Sequence, residues 1–165
     1  MIIQLSQINH LPQIFEIFQD CKLAMEKEGI FQWNQGYPNI EVISNDILKG
    51  HSYGLYDENT CVGVISINTD QEPAHKSVKW EDTGLVLIIH RLTIAPSYQK
   101  NGFARSLMDF AESYGLKNGF TSIRLDAYSG NLRVINFYET RGYIKRGEIY
   151  FAGRDLPFFC LEKRL

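Results

Sequence analysis

Leu85-Val86-Leu87-Ile88-Ile89-His90-Arg91-Leu92-Thr93-Ile94-Ala95-Pro96, with the following Ser97-Tyr98-Gln99-Lys100-Asn101-Gly102-Phe103-Ala104-Arg105, decides how the chain folds. The first run holds the most apolar stretch of the sequence, and Leu85 to Ile94 suits a strand at the centre of a sheet. Apolar residues then return as Phe103, Leu107, Phe110, Ala111 and Tyr114, one face of a helix from Phe103 to about Lys117 that Asn118-Gly119 ends. A strand that enters a helix through such a turn gathers backbone N–H groups where the helix dipole favours an anion, and a phosphate is the natural guest. Gly102 lets the backbone approach closely, and Ala104 is small enough for the helix start to press against a ligand. The same residues also describe an ordinary strand-to-helix turn whose geometry Gly102 fixes, so the turn alone leaves both readings open.

Toward the amino terminus, Gln4 to Asn9 reads as a short strand, and Leu11, Ile14, Phe15, Ile17 and Phe18 begin an amphipathic helix reaching about Lys27. Gly29, Asn34, Gly36 and Pro38 then break the pattern while Ile30, Phe31, Trp33 and Tyr37 keep it apolar, which predicts a folded aromatic lid segment. A helix from Ile40 to Lys49 ends at Gly50, and His51 to Tyr56 with Cys61 to Asn68 forms a hairpin around Asp57-Glu58-Asn59-Thr60. Asp70 to Thr83 is mostly polar and reads as an exposed excursion. Beyond the central helix come a strand from Thr121 to Tyr128, a helix from Asn131 to Arg141 closed by Gly142, and strands over Tyr143 to Phe151 and Phe158 to Lys163. The expectation is an α/β (α+β) fold: one domain over residues 1–165, with a mixed, mostly antiparallel sheet of about seven strands and helices on both faces. The two strands that flank the Phe103 to Lys117 helix should be parallel.

The composition narrows the function. The 165 residues are 44% hydrophobic and 22% charged, which fits a packed globular core. Seventeen Lys and Arg against nineteen Asp and Glu leave a formal charge of -2, so a nucleic-acid-binding role through an overall positive field is not expected. The longest unbroken apolar run, Leu85 to Ile89, is far short of the roughly 20 residues of a bilayer-spanning helix. Met1 to Ser6 carries no signal-like pattern, so a cytoplasmic setting is the expectation. Three cysteines, Cys21, Cys61 and Cys160, and four scattered histidines show no metal-ligand spacing, and no metal is expected.

Leu92-Thr93-Ile94-Ala95-Pro96 followed by Gln99-Lys100-Asn101-Gly102-Phe103-Ala104 resembles the coenzyme A motif of GNAT-type N-acetyltransferases. Asn131-Leu132-Arg133-Val134-Ile135-Asn136-Phe137-Tyr138-Glu139-Thr140-Arg141-Gly142-Tyr143 is similar to the later helix-and-strand motif of the same family, at a fitting spacing. The resemblance implies a sheet splayed at its centre, and acetyl transfer from acetyl-coenzyme A to an amine by direct attack in a ternary complex. It implies that the pyrophosphate rests on Gln99, Lys100, Asn101, Gly102, Phe103, Ala104 and Arg105, and that Asn131 contacts the coenzyme. The pantetheine arm would run beside Leu92, Thr93 and Ile94, with the Leu92 N–H as donor to the thioester carbonyl.

Tyr138 matches the family's general-acid position beside the leaving sulfur, against the plain alternative of a packed helix aromatic. His90 corresponds to a histidine base in some arylalkylamine-acetylating relatives, while Ile88 stands where histone-acetylating relatives carry a catalytic Glu; a packed strand histidine or a water relay is the other reading. Trp33 and Tyr37 are the candidate acceptor-binding residues, and either could instead anchor the core. The acceptor is a small-molecule or peptide amine, with no nucleic-acid or membrane partner expected and a homodimer left open. The rival function is a non-catalytic acyl-coenzyme A-binding regulatory module of the same fold.

Overall fold

The structure, a computed structural model, describes residues 1–165. Seven strands lie in one mixed sheet in the order β1-β2-β3-β4-β5-β7-β6. In chain order the elements are β1 (Ile2–Leu5), α1 (Leu11–Lys27), α2 (Ile40–Leu48), β2 (Ser52–Asp57), β3 (Thr60–Asn68), β4 (Val86–Ile94), α3 (Phe103–Lys117), β5 (Ser122–Tyr128), α4 (Leu132–Thr140), β6 (Ile144–Ile149) and β7 (Phe158–Arg164). β4 and β5 are parallel, as the helix between them requires, while β1/β2, β2/β3, β5/β7 and β6/β7 are antiparallel. No helix is long and apolar enough to cross a membrane.

The chain forms two compact units, and β4 contributes to each. The first comprises Met1–Ile67 and His90–Ala111. In α1, Ile14, Ile17, Phe18 and Cys21 recur at helical spacing and turn inward to Ile43 and Ile47 of α2 and to Tyr56, Cys61 and Val64 of the hairpin. Asn39 starts α2 by accepting a hydrogen bond from the Val42 N–H at 2.9 Å. Glu58 adopts a positive φ of 51° in the two-residue turn between β2 and β3, the geometry a tight hairpin demands. Strands β3 and β4 pack so closely at Gly63 that an added Cβ would stand 2.5 Å from Ile94 Cδ1.

The second unit comprises Asn68–Ile89 and Glu112–Leu165. Its register pairs Val86 to Ile89 of β4 with Ser122 to Leu125 of β5, and β5 pairs along its whole length with β7. Residues 70–83 form the largely exposed excursion expected, yet they are fastened to this sheet at particular points. His75, only 1% exposed, bonds Asp126 at 3.0 Å, and the N–H groups of Glu81 and Asp82 donate to the Glu162 carboxylate at 2.9 and 3.3 Å. Arg124 donates to the Asp82 carbonyl and lies under the Trp80 ring, 4.4 Å from its centroid. Within this excursion His75 and Asp82 are buried, and their groups with the Glu81 amide supply partners for buried groups of the sheet. All three cysteines are buried and free.

Candidate functional site

The turn after β4 lies in the first unit and has the anion-receiving form. Lys100 and Gly102 both take positive φ, 67° and 83°, so the backbone reverses twice within three residues. The first bond of α3 runs from the Ser106 N–H to the Gly102 carbonyl at 3.1 Å, so the amides of Phe103, Ala104 and Arg105 precede the helical ladder and have no partner within it. A Cβ built on Gly102 meets nothing within 4 Å, so the turn is open beside this residue. The first turn of α3 contains Arg105 and no acidic residue, and Lys100 and Arg105 are both exposed. Asn101 secures the turn by donating to the Tyr98 carbonyl at 3.2 Å, and Gln99 donates to the Ile94 carbonyl at 3.0 Å. A phosphate-bearing ligand fits this set of dipoles and charges.

Just before the turn, the Ala95 N–H donates to the Val62 carbonyl of β3 at 2.9 Å. Backbone groups alternate sides along a strand, so the Leu92 N–H, three residues earlier, points away from β3. That is the edge on which the β4/β5 register has already ended, at Ile89. The Ile94 carbonyl accepts from Gln99 and from Cys21 Sγ, and the Thr93 hydroxyl donates to Cys21 Sγ at 3.0 Å; both groups are engaged within the unit. His90 is half-buried at the first β4 position beyond that register.

The two aromatic candidates part company. Trp33, 9% exposed, packs into the core with its ring 5.3 Å from that of Phe18, which favours the anchor reading over an acceptor wall. Tyr37 is 37% exposed, and its oxygen accepts a hydrogen bond from Arg91 Nη1 at 2.6 Å. Arg91 and its partner Asp46 on α2 carry no sequence signal, since they lie 45 residues apart and only folding pairs them.

Tyr138 and Asn131 lie in the second unit, on α4 and at its start. Asn131 is buried and caps α4, its side-chain oxygen accepting from the Val134 N–H at 3.4 Å. Tyr138 is buried, its ring 5.7 Å from Tyr143. Burial, and then the nearby Asp126 carboxylate, pushes the Tyr138 hydroxyl well above its ordinary range and keeps it protonated. Asp126 and its buried partner His75 are further chemistry-bearing residues that the sequence reading did not single out. No group of His, Cys, Asp and Glu side chains stands close enough to hold a metal ion.

The model of the acetyltransferase (GNAT) family matches residues 11–143. Streptothricin acetyltransferase of Escherichia coli is 25% identical over 105 residues, which is 64% of this chain and 53% of that protein, so the chain spans about half the length of the curated relative it matches. A GNAT-family acetyltransferase of Streptococcus agalactiae superposes with a TM-score of 0.82 at 22% identity, over 99% of this chain and 95% of that one. The PaiA N-acetyltransferase of Thermoplasma acidophilum, solved in complex with coenzyme A, gives a TM-score of 0.73 at 19% identity over 99% and 98% of the two chains.

Proposed function

The chain belongs to the GNAT family of acetyltransferases, and on that premise we propose that it transfers acetyl from acetyl-coenzyme A to a primary amine by direct attack in a ternary complex. One observation carries this reading: the Leu92 N–H points off the β4 edge beyond the end of the β4/β5 register, and eleven residues later the amides of Phe103, Ala104 and Arg105 open the α3 terminus. A thioester carbonyl and a pyrophosphate on one ligand match those two donor sets.

Acetyl-coenzyme A supplies the activated acetyl group. The residues that would hold it are those of the Gln99 to Arg105 turn, with Leu92 as the donor that answers negative charge growing on the thioester oxygen. Thr93 and Ile94 shape the strand beneath, because their polar groups are committed to Cys21 and Gln99. Tyr138 holds a proton for the departing thiolate; its raised pKa keeps the hydroxyl in the donor form at neutral pH. The amine, with an ordinary pKa of about 10.4 for a lysine-like group, must shed a proton before attack. A water path performs this step in our reading, with His90 as the side chain able to replace it.

The acceptor class is an amine, and the streptothricin-acetylating relative makes an amine-bearing antibiotic one member of the test set. The experiment follows free-thiol release from acetyl-coenzyme A with streptothricin, spermidine, lysine or a peptide bearing a free amino terminus, against a control without amine. Amine-dependent release supports transfer. Stabilisation by coenzyme A without release from any amine leaves the regulatory module, the reading that the deep burial of Tyr138 favours.

A further inference from the structure

Three attachments converge on Tyr37 and its neighbour Pro38. The Lys22 ammonium, buried on α1, donates to the Pro38 carbonyl at 2.7 Å. Tyr37 exchanges backbone hydrogen bonds with Asn34 at 3.1 and 3.2 Å, which closes the loop on itself. The third attachment reaches the side chain and comes from β4: Arg91 Nη1 donates to the Tyr37 oxygen at 2.6 Å. Backbone attachments alone would fix the loop, so this last bond must be explained by what it does to the phenol.

The guanidinium is a planar fork with five donors. Two of its arms are locked on Asp46, Nε to Oδ2 at 2.9 Å and Nη2 to Oδ1 at 2.7 Å, and Asp46 is held in turn by the Ser66 hydroxyl at 2.8 Å. Once those two arms are set, the direction of the third is set as well. The Arg91–Asp46 pair is buried on both sides, so water does not compete for it. Arg91 is also bonded covalently to Leu92, which places the Tyr37 hydroxyl one arginine side chain from the residue that precedes the proposed thioester donor.

We propose that Arg91 and Asp46 are positioning residues that hold Tyr37, a partly exposed aromatic of the α1–α2 loop, as an acceptor-binding side chain of this site. The proposal rests on the acetyl-transfer reading. Of the loop's aromatics, Trp33 is spent on the core and Phe31 is exposed, while Tyr37 carries the bond from the buried pair, and that clamp sets where its ring stands.

The test separates positioning from stability with three variants. Tyr37→Phe removes the clamped oxygen, Asp46→Asn loosens the fork, and Ser66→Ala weakens the same buried pair without touching Tyr37. Each is melted, and each is assayed with streptothricin, spermidine, lysine and the free peptide in turn. The expected result is a KM for the amine raised about tenfold or more in Tyr37→Phe and Asp46→Asn, with the KM for acetyl-coenzyme A unmoved. Ser66→Ala should lower the melting temperature and leave the amine KM where it was. An unchanged amine KM in both folded Tyr37→Phe and folded Asp46→Asn overturns the proposal and makes the network a fastener only. Equal increases in both KM values overturn it too, because Tyr37 would then not be specific to the acceptor. A wild-type protein that releases no thiol with any amine overturns the acetyl-transfer reading itself, and this role falls with it.

Discussion

Each compact unit buries an ionic assembly, and the two end differently. In the second unit Glu162 has no exposed surface and is answered from every side, by Arg124 Nε at 3.0 Å, Arg146 Nε at 3.1 Å and the N–H of Glu81 at 2.9 Å. In the first unit Arg91 and Asp46 are also buried, but their chain of bonds ends on Tyr37, a neutral ring that is partly exposed. The Glu162 assembly runs outward through Arg146 to the exposed Glu81, an ion pair that fastens the chain to itself. The Arg91 assembly runs outward to a partly exposed ring whose position it controls.

The sharpest way to break this contrast is Glu162→Ala, which leaves Arg124 and Arg146 without their shared carboxylate. Urea unfolding should show a loss of about 3–5 kcal/mol, while the folded fraction keeps its coenzyme affinity. A loss below about 1 kcal/mol would mean that the assembly fastens nothing. Tyr138→Phe preserves ring packing in the same unit but deletes the hydroxyl, and turnover should fall by about 10²-fold where chemistry limits the rate. Wild-type turnover in that variant would make Tyr138 a packing residue.

In the first unit, Gly102→Val forces a β-branched residue toward a φ of 83° although no neighbour obstructs its Cβ. Coenzyme A affinity measured by calorimetry should drop about tenfold or more with the fold retained, and an unchanged affinity removes the pyrophosphate site. His90→Gln should keep turnover within about tenfold and preserve the pH profile if water carries the amine proton. Disappearance of the acidic limb would install His90 as the base. The smallest effect is on alkaline stability. Burial pushes Tyr56 up to about 12 and Cys61 up to about 11, so on unfolding both groups lose their protons at lower pH than in the native state. Stability from these groups is fully present below about pH 9, the ordinary thiol range, and declines as pH rises toward 11 and 12. A flat melting temperature from pH 8 to 11 would contradict their burial.

The elements that set the fold were legible because their signals are local. The α3 span of Phe103–Lys117, the hairpin, the β4 run and Gly142 after α4 rest on periodicity and turn chemistry within a few residues, and each stands within a residue or two of expectation. The turn proposed to receive the pyrophosphate was legible for the same reason. What escaped was written in long-range polar pairing. Residues 70–83 read as solvent-facing chain and are mostly exposed, but their fastening was not legible because the partners of His75, Glu81 and Asp82 are Asp126 and Glu162, tens of residues away. Arg91 hides inside an apolar strand for the same reason, and Trp33 and Tyr37 share a loop but face opposite fates that no spacing rule distinguishes.

The three buried cysteines bear on how any of this is measured. Cys21, Cys61 and Cys160 all have thiol pKa values raised by burial, so the native protein offers almost no thiolate to a disulfide reagent at pH 8. The coenzyme thiol set free in an acetyl-transfer assay can therefore be read colorimetrically against a silent protein background. In denaturant, with acetyl-coenzyme A left out, the same reagent counts the protein's own sulfurs and so reports the fraction of molecules that have come apart.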